Sequence, residues 1–354
     1  MNIKIILEDG AEFHGKSFGY EGSAAGELVF STAMTGYPES ITDPSYKGQI
    51  LVMTYPLTGN YGAPSEERDN NNIPKFLESD DIHISALVAC DYSQNYSHWG
   101  ANQSLDDWMK QRRVPGIYGV DTRAMVRHIR EKGNMLCKLV YENRDIPFYN
   151  PYDYNLVEKV SCKEKIVYGN GAFRILLVDC GVKYNIIREL IAAGATVIRA
   201  PWDYDFANDD YDGLFISNGP GNPEKCEVTI KNVAKALQRN KPIMGISLGS
   251  NILGLAAGAK TFKLQYGHHG HNLPVKQTGS DNAFISLQNH SFAVDMNTLP
   301  NEWESCYVNL NDGTNEGFRH KTKAFFATLF HREQSGAEVE REYLFAQFIE
   351  AVIS

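Results

Sequence analysis

Three residues of this chain have the types and order of a nucleophile, a base and an orienting carboxylate: Ser247, His331 and Glu333. Ser247 is the centre of Gly245-Ile246-Ser247-Leu248-Gly249, a G-x-S-x-G pattern between the apolar Pro242-Ile243-Met244 and a helix-forming run that ends at Gly258. A sharp strand-to-helix turn of this kind lifts one side chain above a sheet, and the flanking glycines let the backbone bend and pack closely. The first helical N–H groups then point at whatever that side chain attacks, where the helix dipole favours developing negative charge. His331 and Glu333 stand two apart after the apolar run AFFATLF, so in extended chain their side chains leave on one face. A carboxylate beside an imidazole orients it and supports its charged form. A turn serine and a surface H-x-E pair explain each half separately. Following a parallel-sheet pattern, the two halves together favour a site.

A second constellation is the loop Asn218-Gly219-Pro220-Gly221-Asn222-Pro223. It lacks the GK[ST] of a phosphate cradle and the helix start of a dinucleotide fingerprint, so its functional reading is an exposed N–H aimed at an oxyanion. The plain reading is a turn. Gly267-His268-His269-Gly270-His271, with His290 further on, has no cysteine or carboxylate at metal spacing. It reads as polar lining of a cleft, and no metal or cofactor is expected.

The elements that position these residues alternate in the second half of the chain. FRILLVDCG, ATVIRAPW, DGLFISNGPGNP and KPIMGIS read as strands, with the helical NIIRELIAAG and VTIKNVAKALQRN between them. Such βαβ units predict an α/β, doubly wound, mainly parallel sheet whose ligands bind at the carboxyl ends of the strands. Shorter strand-like runs follow, and EYLFAQFIEAVI closes the chain as a helix. The first half reads as a mixed α+β domain: a hairpin about Asp9-Gly10, further short strands, and helices at 105–111 and 122–132. The aromatic, turn-forming texture around FYNPYDYN marks a linker, which divides the chain into 1–150, a linker at 151–171 and a second domain at 172–354.

Composition bounds the partners. The 354 residues are 43% hydrophobic and 22% charged, as in ordinary globular proteins, with a net charge of -9. That charge argues against nucleic acid or an anionic membrane as the main partner. The six scattered cysteines form no CxxC pair and read as free thiols in a reducing compartment. No signal peptide, Arg-rich transit segment or membrane-length apolar run is visible, so a cytoplasmic location is expected.

With these pieces in order, the chain resembles the small, glutaminase subunit of carbamoyl-phosphate synthetase, a family of class I amidotransferases. FSTAMTGYPESITDPSYKGQILVMTYPLTGNYG and GIYGVDTRAMVRHIREKG are similar to that family's amino-terminal domain. VDCGVKYN, ISNGPGNP, GLAAGAKT, YGHHGHN and QNHSFAVD are similar to its amidotransferase domain. The resemblance implies a cysteine at the elbow that attacks the amide of glutamine, a His and Glu from a terminal FHPE motif, and ammonia delivered to a large synthetase subunit or domain. It also implies a place in pyrimidine or arginine biosynthesis. Carried onto this sequence, the nucleophile position is Ser247, the base His331 and its orienter Glu333. Oxyanion donors would be the N–H groups of Gly219 and Leu248, and glutamine contacts Ser45, Gly221, Asn251, Asn289, Ser291 and Phe292.

The family pattern is departed from at four places, five residues in all: Ser247 for cysteine, Ser250-Asn251 for His-Gln, Ser291 for the glycine of QNHG, and Arg332 for the proline of FHPE. A thiol with a pKa of about 8.5 is readily held as thiolate by an imidazolium, whereas a hydroxyl must lose its proton during attack. Asn251 is also one methylene shorter than glutamine. These changes resemble the ammonia-dependent branch of the family and imply an impaired or lost glutaminase, retained as a structural or regulatory partner of a synthetase or repurposed for binding. Two alternatives stay open: an active glutaminase carrying an engineered Cys-to-Ser change, and a serine hydrolase acting through Ser247, His331 and Glu333.

Overall fold

The computed structural model describes residues 2–331 and 343–354. The chain divides into two compact units, Met1–Leu156 with Gln265–His269, and Val157–Leu264 with Gly270–Ser354.

The first unit is built on a closed barrel of seven strands, in the order Asn2–Leu7, Glu12–Gly19, Pro115–Tyr118, Ala86–Ala89, Gln49–Met53, Ala24–Ser31 and Leu136–Tyr141. The expected hairpin is its first pair: Ile5 faces Phe13 across the ladder, and Gly10 takes a left-handed φ of 89° in the turn. Alternation puts Ile3, Ile5 and Leu7 on one face, where they join Leu28, Ile50 and Val88 in a dry core. The helices Leu105–Gln111 and Thr122–Lys132 start where side chains can cap them: Ser104 accepts from the N–H of Asp107, and Asp121 from that of Ala124. Met125 and Ile129, one turn apart, are the residues the second of these helices buries in the barrel core.

The second unit carries a ten-stranded sheet, in the order Ile166–Tyr168, Ala195–Pro201, Phe173–Asp179, Gly213–Ile216, Ile243–Ile246, Phe325–Thr328, Asn315–His320, Trp303–Asn309, Lys260–Gln277 and Ala283–Asp295. The strands from Ala195–Pro201 to Phe325–Thr328 pair in parallel. Their burial is continuous rather than alternating, because helices cover both faces. Leu176, Leu214, Ile216 and Ile243 pack on one face with Val233, Leu248 and Ile252. On the other face, Phe345 and Phe348 of the closing helix Tyr343–Ile353 meet the Phe215 ring edge-on. The parallel doubly wound centre is as the βαβ pattern predicts. Beyond it the sheet turns antiparallel from Asn315–His320 outward, since no crossover helix lies between 260 and 328 and short turns join only antiparallel neighbours.

Residues 151–171, read as a linker, hold the short helix Val157–Val160 and the edge strand Ile166–Tyr168, which pairs antiparallel with Val197–Arg199. The six cysteines are free thiols. Among the described residues, no helix is long and apolar enough to cross a membrane.

Candidate functional site

The strand Ile243–Ile246 ends at Ser247, and the helix Leu248–Ala256 starts at the next residue. Ser247 bridges them at φ 53° and ψ -113°, a conformation costing a non-glycine residue roughly 1–3 kcal/mol. Both glycines of G-x-S-x-G are needed for closeness rather than for φ. A Cβ on Gly245 would lie 2.5 Å from the carbonyl oxygen of Gly249, and one on Gly249 would lie 2.1 Å from that of Ile216. The helix also lies against the strand Ala283–Asp295: a Cβ on Gly254 would sit 2.8 Å from the side chain of Val294.

Ser247 is 1% exposed. Its N–H donates to the carbonyl of Thr328 (2.8 Å), continuing the parallel ladder in which Ile246 faces Thr328. Topology therefore brings Ser247 and His331 to the carboxyl ends of adjacent strands. The hydroxyl of Ser247 donates to the carbonyl of Asn289 (3.4 Å). Asn251, one turn into the helix, donates its amide to the carbonyls of Ser247 (3.5 Å) and Phe292 (3.4 Å). Its Oδ1 and the hydroxyl of Ser250 are buried with no partner among the described residues.

His331 is buried, and its N–H donates to the carbonyl of Leu287 (2.9 Å). Burial holds its imidazole well below the ordinary histidine range, and the charges of Lys183 and His290 push the same way. Nε2 is buried with no partner among the described residues. His331 lines a cavity with Lys183, Glu189, Met244, Thr328 and Phe330. Glu333 and Arg332 lie outside the described residues.

Gly219 and Leu248 are neighbours: a Cβ on Gly219 would meet the Leu248 side chain at 2.9 Å and the Cys180 carbonyl oxygen at 2.0 Å. Gly221 takes φ 88°, which its glycine permits. Asn289, Ser291 and Phe292 lie on the strand Ala283–Asp295, Asn289 and Ser291 buried. Ser45 lies in the first unit, in the turn Pro44–Tyr46, where its N–H donates to Asp43 Oδ1 (2.9 Å). His268 and His269 are buried and also belong to the first unit.

Two polar assemblies escaped the sequence reading. Asp179, 0% exposed, ends the strand Phe173–Asp179 and accepts from the N–H groups of Gly181 (2.9 Å), Val182 (2.8 Å) and Cys162 (2.7 Å), and from Arg199 Nε (2.8 Å). It shapes the turn whose Lys183 N–H donates to Asn218 Oδ1 (3.1 Å), beside Gly219. An acidic residue closing a run of apolar strand residues was the available signal. The second assembly is Gln288, His290, Asn309 and Glu316; His290 and the QNHS string stood out in the sequence, but Asn309 and Glu316 did not.

Residues 5–139 match the family model for the carbamoyl-phosphate synthase small chain, CPSase domain, and residues 176–351 that for glutamine amidotransferase class-I. The arginine-specific small chain of carbamoyl phosphate synthase from Chaetomium globosum is 46% identical over 362 residues, covering 99% of this chain and 78% of that one. The chain belongs to the carbamoyl-phosphate synthase small-chain family. The mitochondrial carbamoyl-phosphate synthase (ammonia) of Homo sapiens is 48% identical, and the multifunctional protein CAD of Squalus acanthias 47%, each over 98% of this chain. The chain spans 23% and 16% of the length of those two relatives. In small-chain terms, the barrel unit carries the whole CPSase-domain match, and the second unit with its elbow most of the amidotransferase match.

Proposed function

We propose that this small-chain family member has an impaired or lost glutaminase and acts as the structural or regulatory partner of a carbamoyl-phosphate synthetase subunit or domain, or has been repurposed for binding. The observation that carries this is the serine at the elbow. Ser247 keeps the strained strand-to-helix seat, yet its hydroxyl proton is directed at the Asn289 carbonyl, which is no base. In the family pattern a cysteine stands there, whose thiolate needs no proton transfer at the moment of attack. Asn251 supports the same reading, because its amide is spent on the carbonyls of Ser247 and Phe292. In this reading Ser247 is the nucleophile position, His331 the base with Glu333 its orienter, and Gly219 and Leu248 the oxyanion donors. Ser45, Gly221, Asn251, Asn289, Ser291 and Phe292 are the vestigial glutamine contacts.

Glutamate release from glutamine, assayed on this chain with and without a synthetase large subunit, tests the proposal. The expected result is release at background. Turnover comparable to a cysteine-bearing small chain overturns it.

A further inference from the structure

The strand Gly213–Ile216 runs into the loop of Gly219 through Ser217, which is 0% exposed. The N–H of Ser217 donates to the Val178 carbonyl (3.2 Å), so the sheet fixes where its side chain starts. The hydroxyl has two main-chain partners. It lies 2.9 Å from the amide nitrogen of Cys180 and 2.8 Å from the carbonyl oxygen of Asn218. An N–H only donates and a carbonyl only accepts, so Ser217 Oγ accepts from Cys180 and donates to Asn218.

A peptide unit is planar and trans, so its C=O and N–H point in opposite directions. By drawing the Asn218 carbonyl to itself, the Ser217 hydroxyl turns the Gly219 N–H the other way. That N–H has no hydrogen-bond partner among the described residues. Gly219 is pressed between two neighbours: a Cβ there would meet the Cys180 carbonyl oxygen at 2.0 Å and the Leu248 side chain at 2.9 Å. The Asn218 side chain is tied to the same turn as Cys180, since its Oδ1 accepts from the Lys183 N–H (3.1 Å). Contacts at both ends thus place the two residues, while the peptide plane between them can still turn over. Turning it changes ψ of Asn218 and φ of Gly219, and glycine accepts either sign of φ.

We infer that Ser217 is a positioning residue whose hydroxyl holds the Asn218–Gly219 peptide in one orientation and so aims the Gly219 N–H. Asn218 is 0% exposed, and a buried carbonyl is costly to leave without a donor. The hydroxyl therefore supplies the energetic reason for the present orientation, and its removal takes that reason away. The inference rests on the reading above only in taking the Gly219 N–H for an oxyanion donor. The orientation of the peptide itself does not depend on whether glutamine is hydrolysed.

Crystal structures of the full chain and of its Ser217→Ala and Ser217→Thr variants test it. The wild type and the Thr variant, which keeps the hydroxyl, should show one orientation, with the Asn218 carbonyl on the residue-217 oxygen. In the Ala variant the peptide should turn over, wholly or in part of the molecules. An Ala variant that keeps only the wild-type orientation overturns the inference. If that variant fails to fold, Ser217→Cys, similar in size but a weak donor, replaces it under the same criterion. Glutamate release gives a second readout, in the chain carrying Ser247→Cys, Asn251→Gln, Ser291→Gly and Arg332→Pro. There Ser217→Ala should lower kcat by roughly 100-fold, as loss of one oxyanion donor does, while Ser217→Thr restores it. KM should change by less than about 2-fold, a split that a residue merely filling space would not produce. A peptide that turns over with kcat unchanged supports the role of Ser217 and removes Gly219 from the oxyanion donors, so the two failures are told apart.

Discussion

The two halves of the ten-stranded sheet bury their residues differently. In the parallel half, Leu176, Leu214, Ile216 and Ile243 form a dry layer, and Asp179 with Arg199 is confined to the end of a strand. In the antiparallel half, Gln288, Asn289, His290, Asn309 and Glu316 are all buried. The parallel half puts Ser247 and His331 at the carboxyl ends of neighbouring strands. The antiparallel half carries buried polar groups, each costly to leave unpaired, and it meets the elbow with the main-chain carbonyls of Asn289 and Phe292.

The most damaging way to break this comparison is at Asp179. Asp179→Ala removes the acceptor for three N–H groups and leaves the Arg199 guanidinium buried beside no carboxylate. A loss of about 3–5 kcal/mol is expected in denaturant unfolding. Replacing both members by apolar residues should recover part of it. Next come paired truncations across the two halves. Ile216→Ala in the dry layer should cost about 2–5 kcal/mol through its cavity. Asn309→Ala should cost about 1–3 kcal/mol by leaving Glu316 short of a donor. Equal costs for the two would dissolve the distinction.

The comparison also has a pH arm. Burial depresses His331 well below the ordinary range, so the unfolded chain binds that proton more tightly. The stabilisation is complete above the unfolded value of about 6.5 and is lost as pH falls below it, by about 1.4 kcal/mol per pH unit. In the barrel unit, burial first and Lys47 second push His83 down to about 4, with the same sign. Thermal unfolding across this range should steepen on the acid side. His331→Gln and His83→Gln should each flatten the slope, and two unchanged slopes would show that neither ring is held neutral.

Much of the fold was open to sequence reasoning, because local signals agreed with tertiary demands. Ser104 and Asp121 mark helix starts by their capping chemistry, Gly10 marks its hairpin, and the spacing of Gly245 and Gly249 marks a turn that tolerates no Cβ. The antiparallel half was less open. Periodicity shows that a run is a strand but carries no information on which strand pairs with it. Glu316 opens the strand-like run EGFRH, whose pattern does not show that it is buried; its strand pairs with Trp303–Asn309 and Phe325–Thr328, and there it is buried. Asp179 and Arg199 are 20 residues apart and meet because their strands are parallel neighbours.

The smallest expected effect is also the sharpest for the site. Ser247→Cys exchanges one buried atom and weakens the hydrogen bond to the Asn289 carbonyl, so stability should fall by about 0.5–1.5 kcal/mol. Glutamate release should stay near background. The sulfur would return to an elbow whose neighbour Asn251 is one methylene shorter than the family's glutamine, with Ser291 and Arg332 still departing from the family pattern. Adding Asn251→Gln, Ser291→Gly and Arg332→Pro should raise release above the single variant. If Ser247→Cys alone restores full turnover, the substrate pocket was never altered. The serine would then read as a single engineered change in an otherwise working glutaminase, and the contrast between an intact scaffold and a decayed pocket would collapse to one atom.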